Sequence, residues 1–581
     1  MQLTKATTRS VAVLAVLTAL SFLVAACGGG PAHNGGGRTG SALPPALAAQ
    51  TRQRIAFVRC MRAHGVRNFP YPTAEGAVSV EMVEAAGINP KSPAVVRVVA
   101  KCLPPSLRPP KLPMPSLKTK PRRSDRSYGA GATTQAAVTV NAAKHYQSIA
   151  GFGVSEGFGQ AKTLMSAPAS VQEQVLSLLY SPTHGAGLTI LRNEISADAG
   201  FTIEPKAPSS PNAKPSYLSL AEVDQDQGQL WFAKQIKADY GVSDIFADAW
   251  SAPAFMKTNN SAIRGGTVCG VPGANCKSGD WRQAYANYLV QYAKDYAAAG
   301  VPLTYIGPEN ETTIAPPQDS MIMSPAQTAN FMEVLGATLA RSGLSTRAEC
   351  CASIGWNYAQ QYAAAIETDK AANTATALFT SHGYFFPPNS PLKGWSKPVW
   401  ETEWAPFDTG PFDPAWDDGS LLSGFTWAQN IYTGLTKANL SAFLYLWGAN
   451  TSTTTITGPN TGLVEVKGNT VATSGRLWAF ASYSRFIRPG AVRIGTTTSD
   501  AGLEVSAFRN SDGSIAVVAL NTAHSQQVTT FSLRGLSGAH VTPYLTDTTH
   551  ELSEQAPITV RNSAFTATLP PRALVSYVIQ S

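Results

Sequence analysis

Several things are scarce in this sequence, and each scarcity removes a class of function. Charged residues make up 14% of its 581 positions. Past residue 134 they balance slightly acidic, 27 Lys/Arg against 33 Asp/Glu. Nucleic-acid binders carry a basic face, so the larger part of the chain is not read as one. The seven cysteines include no Cys-x-x-Cys pair, the common spacing of a structural zinc site, and no metal is expected. Beyond one apolar run near the start, no stretch is long and apolar enough to span a bilayer. A complete glycine-rich phosphate turn is missing too. Gly151-Phe152-Gly153 has neither the third glycine nor the acidic partner of a dinucleotide fold. That argues against an open doubly wound sheet.

What is present begins with the N-terminus. Lys5 and Arg9 precede an apolar run, Val11–Val24, that ends in Val24-Ala25-Ala26-Cys27. A charged start, an apolar middle and small residues before a cut describe a secretory signal. The cysteine directly after the small residues makes it resemble a bacterial lipoprotein signal. The resemblance implies lipidation of Cys27, a membrane partner, and secretion to the outer face of a bacterial cell membrane. The net charge of +8 fits that place, because residues 1–134 hold 18 Lys/Arg and only 4 Asp/Glu. A basic segment beside a lipid anchor is attracted to an anionic surface. In an oxidising compartment the other six cysteines are expected to pair, Cys60 with Cys102 and Cys269 with Cys276. The adjacent Cys350 and Cys351 are left open, as a vicinal disulfide or two thiols.

The order of segments follows from composition and periodicity. Residues 1–27 read as the signal and 28–50 as a Gly/Ala-rich tether. Residues 51–104 read as a small helical module that a Cys60–Cys102 bridge would hold, and 105–134 as a Pro-rich basic linker. From 148 to 470 extended apolar runs alternate with helical ones, eight times over, the length and pattern of a (β/α)8 barrel. Helical periodicity is read to stop at Gly475, and residues 471–581 then show short β-rich runs such as Leu503–Phe508, Ile515–Leu520 and Val575–Ile579, separated by turns. This predicts a β-sandwich. The fold expected is α/β: a TIM barrel with an attached C-terminal β-sandwich, behind a small N-terminal helical module.

Two stretches carry the chemistry, Thr304–Thr312 (TYIGPENET) and Pro398–Ala405 (PVWETEWA). Each places glutamates just after an extended apolar run. At the C-terminal ends of barrel strands, side chains from different strands face one pocket. Two carboxylates there, one protonated and one ionised, are what glycosidic bond cleavage requires. The Asn310-Glu311 pair and the Thr402-Glu403-Trp404 run resemble the motifs of glycoside hydrolase family 30, over residues 138–581. The resemblance implies that Glu311 is the acid/base and Glu403 the nucleophile of a retaining enzyme. Glu309 and Glu401 are then supporting carboxylates. Thr312 stands where the family commonly has proline. Arg192, at the tip of Gly187–Ile195, would hold Glu403 ionised, and Asn310 would bond the sugar 2-hydroxyl. Trp250, His382, Tyr384 and Trp447 lie at other predicted strand ends and would bind substrate. Tyr483–Gly490 matches the family's junction, so residues 135–147 are expected to add a strand to the sandwich. No cofactor is implied, and a monomer is expected.

Within the family, TLMSAPASVQEQVLSLLY, WSAPAFMKTNN and ECCASIGW resemble the branch of endo-β-1,6-galactanase-like and xylanase-type enzymes. The loops after the strands set specificity on such a barrel. Asn259–Asp280 would be stapled by Cys269–Cys276. Pro406–Ser420 holds Asp408, Asp413, Asp417 and Asp418, which would repel an anionic chain. Endo-cleavage of a neutral polysaccharide is therefore expected, β-1,6-galactan ahead of xylan, with glucuronoxylan admitted if an arginine enters the cleft. A non-catalytic carbohydrate-binding lipoprotein is the reading from a different class, and the paired glutamates with Asn310 argue against it. For the anchor, Cys27→Ser is expected to move the protein from the membrane fraction into the medium. Unchanged membrane partition would reject lipidation.

Overall fold

The computed structural model describes residues 60–61, 66, 98, 101–102, 134–406, 411–451 and 461–580. Cys27, the tether, and nearly all of the N-terminal module and linker lie outside the described residues. The chain divides into two units, residues 1–126 and 127–581. In the first, Cys60 is bonded to Cys102.

The second unit opens with β1 (Thr134–Ser148) and continues into eight strands: β2 (Gly151–Ser155), β3 (Ile190–Ile195), β4 (Asp244–Ala249), β5 (Tyr305–Gly307), β6 (Arg347–Ser353), β7 (Thr376–His382), β8 (Val399–Glu403) and β9 (Ala442–Trp447). β2 to β9 pair in sequence order and close into a barrel, every neighbouring pair parallel. Both faces of such strands are covered, so they read as continuous buried runs without alternation. β9 (AFLYLW) is buried at all six positions. Helices fill the connections. The helix Pro325–Ala340 starts where Ser324 and Gln327 form a reciprocal capping box with proline at the first turn.

Inside the barrel an apolar plug of Ile190, Phe246, Tyr305, Leu378, Trp400, Ala442 and Leu444 closes the lower half. Trp400 meets Phe246 and Tyr305 edge-on, with ring centroids 5.7 and 5.4 Å apart. Further toward the C-terminal ends the strands carry polar groups, Arg192, Asp248, Glu349, Thr380, His382 and Glu403, all buried. The plug thus makes a dry floor for a polar pocket.

β1 inserts between two later strands, antiparallel to Val492–Thr498 and parallel to Gln527–Arg534. It completes a ten-stranded sheet folded over a core in which Val138, Val140, Phe531, Phe565 and Tyr577 meet. This sandwich is fastened to the barrel at several points. Gln147 Nε2 donates to the carbonyls of Leu435 and Leu440 at 2.7 and 2.9 Å, and Ser576 Oγ donates to Ser482 O at 2.6 Å. One expectation fails here. Helical structure does not stop at Gly475, because Gly475–Ser484 is a helix. All ten of its residues are buried between barrel and sandwich, so it has no polar face and no amphipathic period to read.

Trp400 fills the barrel floor, and truncating a buried tryptophan leaves a cavity. Trp400→Ala is expected to lower stability by about 3–5 kcal/mol, seen as a reduced Tm in calorimetry. An unchanged Tm would show that the floor does not depend on it.

Candidate active site

Glu311 lies just beyond β5, and Glu403 ends β8 across the barrel. Glu311 takes a left-handed backbone (φ 49°), uncommon for a residue with a side chain. Its N–H donates to the carbonyl of Ala352 at 2.9 Å, at the top of β6. Ala352 follows Cys350 and Cys351, which are bonded to each other. On β8 the register slips: Ser381 pairs with Glu401 but His382 pairs with Glu403, leaving Thr402 over. An extra residue of this kind re-aims the side chain beside it. Glu401 and Glu403, which simple alternation puts on one face, consequently do different things. Glu401 accepts the backbone N–H of Glu403 at 3.0 Å, while Glu403 joins the polar cluster.

The centre of that cluster is Arg192, fully buried on β3. Its Nε donates to Asp248 Oδ1 at 3.0 Å, its Nη2 to Asp248 Oδ2 and to Asn310 Oδ1, both at 2.7 Å, and its Nη1 to Glu403 Oε2. The indole of Trp250 covers the guanidinium, 4.4 Å from its ring centroid. Tyr384 OH donates to Glu403 Oε1 at 2.8 Å. His382 Nδ1 bonds Glu311 Oε1 at 2.8 Å, while its Nε2 lies 3.9 Å from Glu403 Oε2. Oxygens of Glu311 and Glu403 come within 4.8 Å of one another with a His382 nitrogen. Three such groups could bridge an ion, yet the Arg192 guanidinium already supplies positive charge at the Glu403 oxygen.

The two carboxyls are pushed apart in acidity. Burial raises the Glu311 carboxyl above its ordinary range, and the charge of Glu403 adds to the rise against the opposing His382 bond. Burial acts on Glu403 in the same direction, but His382, Arg192 and the Tyr384 hydroxyl outweigh it and hold Glu403 below the ordinary range. One group is set to keep a proton and the other to lose it. The supporting glutamates are held neutral by burial, Glu309 at about 8 and Glu401 well above its usual value. Glu309 accepts a bond from Thr328 at 2.7 Å, away from the cluster.

Arg192, Asn310, Glu311, His382, Tyr384 and Glu403, all named from the sequence, therefore meet in one network. Trp250 joins through Arg192. Trp447 is reached through Phe158, whose ring stands edge-on to both tryptophans with centroids 5.2 and 5.6 Å away. Sequence reasoning missed Phe158, Asp248 and Glu349. Asp248 was detectable as an ionisable residue inside a buried strand. Glu349 accepts a bond from Thr380 Oγ1 at 2.5 Å, and a Cβ on Gly307 would lie 1.5 Å from its Oε1. The glycine that ends β5 makes room for this carboxyl.

In the rim loops Cys269 and Cys276 are bonded, as expected. Of the aspartates in the acidic loop, Asp417 is paired with Arg572 of the sandwich at 2.7 Å. Asp413 and Asp418 accept the N–H groups of Ala415 and Ser420 in their own turns, both at 2.8 Å, bonds that do not cancel a carboxylate's charge. Asp408 lies outside the described residues. One arginine thus offsets one of the described charges.

If Glu403 must be ionised and Glu311 protonated, activity rises with pH as the first titrates and falls as the second does. Arg192→Gln removes a cation that lowers Glu403, so the rising limb should move to higher pH, with kcat/KM reduced roughly 100-fold or more. Tyr384→Phe should shift the same limb in the same direction by less. An unmoved limb in folded variants, checked by circular dichroism, would contradict this electrostatic assignment.

Comparison with known proteins bears on the fold and the reaction class. Residues 135–386 match O-glycosyl hydrolase family 30, and residues 490–577 match the glycosyl hydrolase family 30 beta sandwich domain. The catalytic domain of GH30 xylanase C from Talaromyces cellulolyticus is 45% identical, with a TM-score of 0.71, covering 77% of this chain and 100% of that one. Glucuronoxylanase XynC of Bacillus subtilis (strain 168) is 25% identical over 58% of this chain and 74% of its own length. Putative glucosylceramidase 4 of Caenorhabditis elegans is 24% identical over 69% of this chain and 79% of its own. With the barrel, the sandwich and both matched segments in place, the chain belongs to glycoside hydrolase family 30 and is an O-glycosyl hydrolase.

Proposed function

We propose that the protein is a retaining endo-β-glycanase that cuts xylan, with Glu403 as nucleophile and Glu311 as acid and then base. The observation that carries this reading is the pair itself: two carboxyls shifted in opposite directions of acidity, with oxygens within 4.8 Å. Retaining enzymes keep their carboxyls about 5–5.5 Å apart, and inverting ones about 6.5–9.5 Å, to admit a water. In the first step a Glu403 oxygen attacks the anomeric carbon while Glu311 gives its proton to the departing oxygen. In the second, Glu311 takes a proton from water, and that water displaces Glu403 from the sugar. Asn310 spends its carbonyl on Arg192, leaving its amide N–H groups to donate to the sugar 2-hydroxyl.

Xylan is placed first because the 45% identical relative is a xylanase over its whole catalytic domain. β-1,6-Galactan is the second reading, favoured by the segments WSAPAFMKTNN and ECCASIGW. Lipid anchoring through Cys27 would hold the enzyme outside the membrane, where polymer substrates are found.

Sizing the products from xylan, glucuronoxylan and β-1,6-galactan tests the proposal. Mixed oligosaccharides from xylan at early times are expected; monosaccharide alone would reject endo action, and release only from galactan would transfer the substrate assignment. Glu403→Gln should abolish turnover, and azide should rescue Glu311→Ala on an activated aryl glycoside, because that substrate needs no proton donor. Near-normal polysaccharide cleavage by either variant would overturn the assigned roles.

A further inference from the structure

Large apolar side chains exposed among the described residues are few: Tyr146, Ile263, Phe385, Phe386 and Leu421. Two of them are consecutive, and they follow directly on the catalytic cluster. His382 touches Glu311, Tyr384 touches Glu403, and the next two residues are Phe385 and Phe386, 40% and 57% exposed. Two neighbouring phenyl rings in water, at the rim of a cleft, mark a surface kept for a ligand.

The loop that carries them is held in place. Phe385 N–H donates to Ile354 O at 3.2 Å, and Trp356 N–H donates to Phe386 O at 3.0 Å. The connection after β6 thereby straps the one after β7. The strap is tight at Gly355, where a Cβ would lie 1.6 Å from Phe385 O. Phe386 itself has a left-handed backbone, φ 60°. A bulky residue is uncommon there and persists where the surroundings enforce it. An exposed phenylalanine gains no burial in return.

The barrel order decides which half of a substrate these rings meet. Trp250, Phe158 and Trp447 belong to the β9–β2–β3–β4 side, where they close around Arg192 and are largely buried. That enclosed side suits the sugar whose anomeric carbon is attacked. Phe385 and Phe386 stand on the opposite side, in the connection after β7 that is bonded to the one after β6, and the top of β6 also holds the backbone of Glu311 through Ala352. A proton donor faces the departing oxygen, so the leaving part of the chain must extend toward Glu311. We propose that Phe385 and Phe386 form the platform on which the leaving-group half of the polysaccharide stacks, the apolar C–H faces of successive sugar rings lying on the two phenyl rings. This rests on the endo-acting reading above and adds the direction in which the polymer crosses the cleft.

The test compares Phe385→Ala, Phe386→Ala and the double variant with Phe386→Trp. Kinetics on the polymer are combined with transglycosylation to an added oligosaccharide, an acceptor that must occupy the leaving-group side. The double alanine variant is expected to raise KM on polymer roughly tenfold, with a smaller change in kcat, and to lose transfer to the acceptor. Phe386→Trp should retain both. Wild-type KM and acceptor transfer in the double variant would overturn the platform while leaving the endo-glycanase reading intact. A wild-type enzyme that cuts no β-linked polymer would sink the reading itself. If the double variant changes only the oligomeric state, the patch is a contact between copies and the proposal is wrong.

Discussion

Everything at the top of the barrel depends on a single buried cation. Arg192 has no contact with solvent, and a buried charge is tolerated only when it is paired and fully hydrogen-bonded. Asp248 takes the Nε/Nη2 edge of the guanidinium, Asn310 and Glu403 bond Nη2 and Nη1, and Trp250 covers its face. One of its anionic partners, Asp248, is fully enclosed, and the other, Glu403, opens to the cleft. The guanidinium thus fixes the ionised state of the one carboxylate able to meet a substrate. Glu311 is bonded to His382 but not to the guanidinium, and burial together with the charge of Glu403 raises its carboxyl. The asymmetry between two glutamates of the same chemistry comes from where His382, this arginine and the Tyr384 hydroxyl sit relative to Glu403.

The scaffold explains why the arginine can sit there. Trp400, Phe246 and Tyr305 block the lower barrel, so water reaches the cluster only from the top. Burial raises the nearby Glu349 and Glu401 carboxyls well above their usual range, which weakens their competition for the cation. The sandwich contributes at a distance. Arg572 binds Asp417 and Trp416 Nε1 donates to Arg572 O at 2.8 Å, so the loop following the Glu403 strand is tied to the second domain. The loops after β3, β4 and β5 are tied together as well. Asp319 accepts Ser196 Oγ and the N–H groups of Ala197 and Asp198, while Lys257 Nζ donates to Ser251 Oγ and Ser320 O, both at 2.7 Å. A pocket built on several loops keeps its shape because the loops are bonded to each other.

Much of this was legible in the sequence, for physical reasons. Barrel strands are short apolar runs that end in a polar residue, and GLTILRNEI, TYIGPENET and PVWETEWA each display that break. Arg192, Glu311 and Glu403 could be placed at strand ends before any contact was known. Alternation could not separate Glu401 from Glu403, because a one-residue bulge does so and a bulge has no signature in this stretch. The helix Gly475–Ser484 was hidden since it is buried on every side. Charge counts could not show that one aspartate of the acidic loop, Asp417, has a partner 155 residues away. Phe385 and Phe386 drew no notice in the sequence, because only their exposure sets them apart from core phenylalanines.

The central claim is that Glu403, held ionised by Arg192, forms the bond to the sugar. The most direct measurement is to trap that bond. A 2-deoxy-2-fluoro β-glycoside with a good leaving group slows hydrolysis of the glycosyl-enzyme, and peptide mass mapping then locates the sugar. The account predicts one added glycosyl residue on the peptide containing Glu403, absent in Glu403→Gln and released on adding an acceptor. A sugar on Glu401 or Glu311, or turnover that inverts the anomeric centre without any adduct, would contradict it.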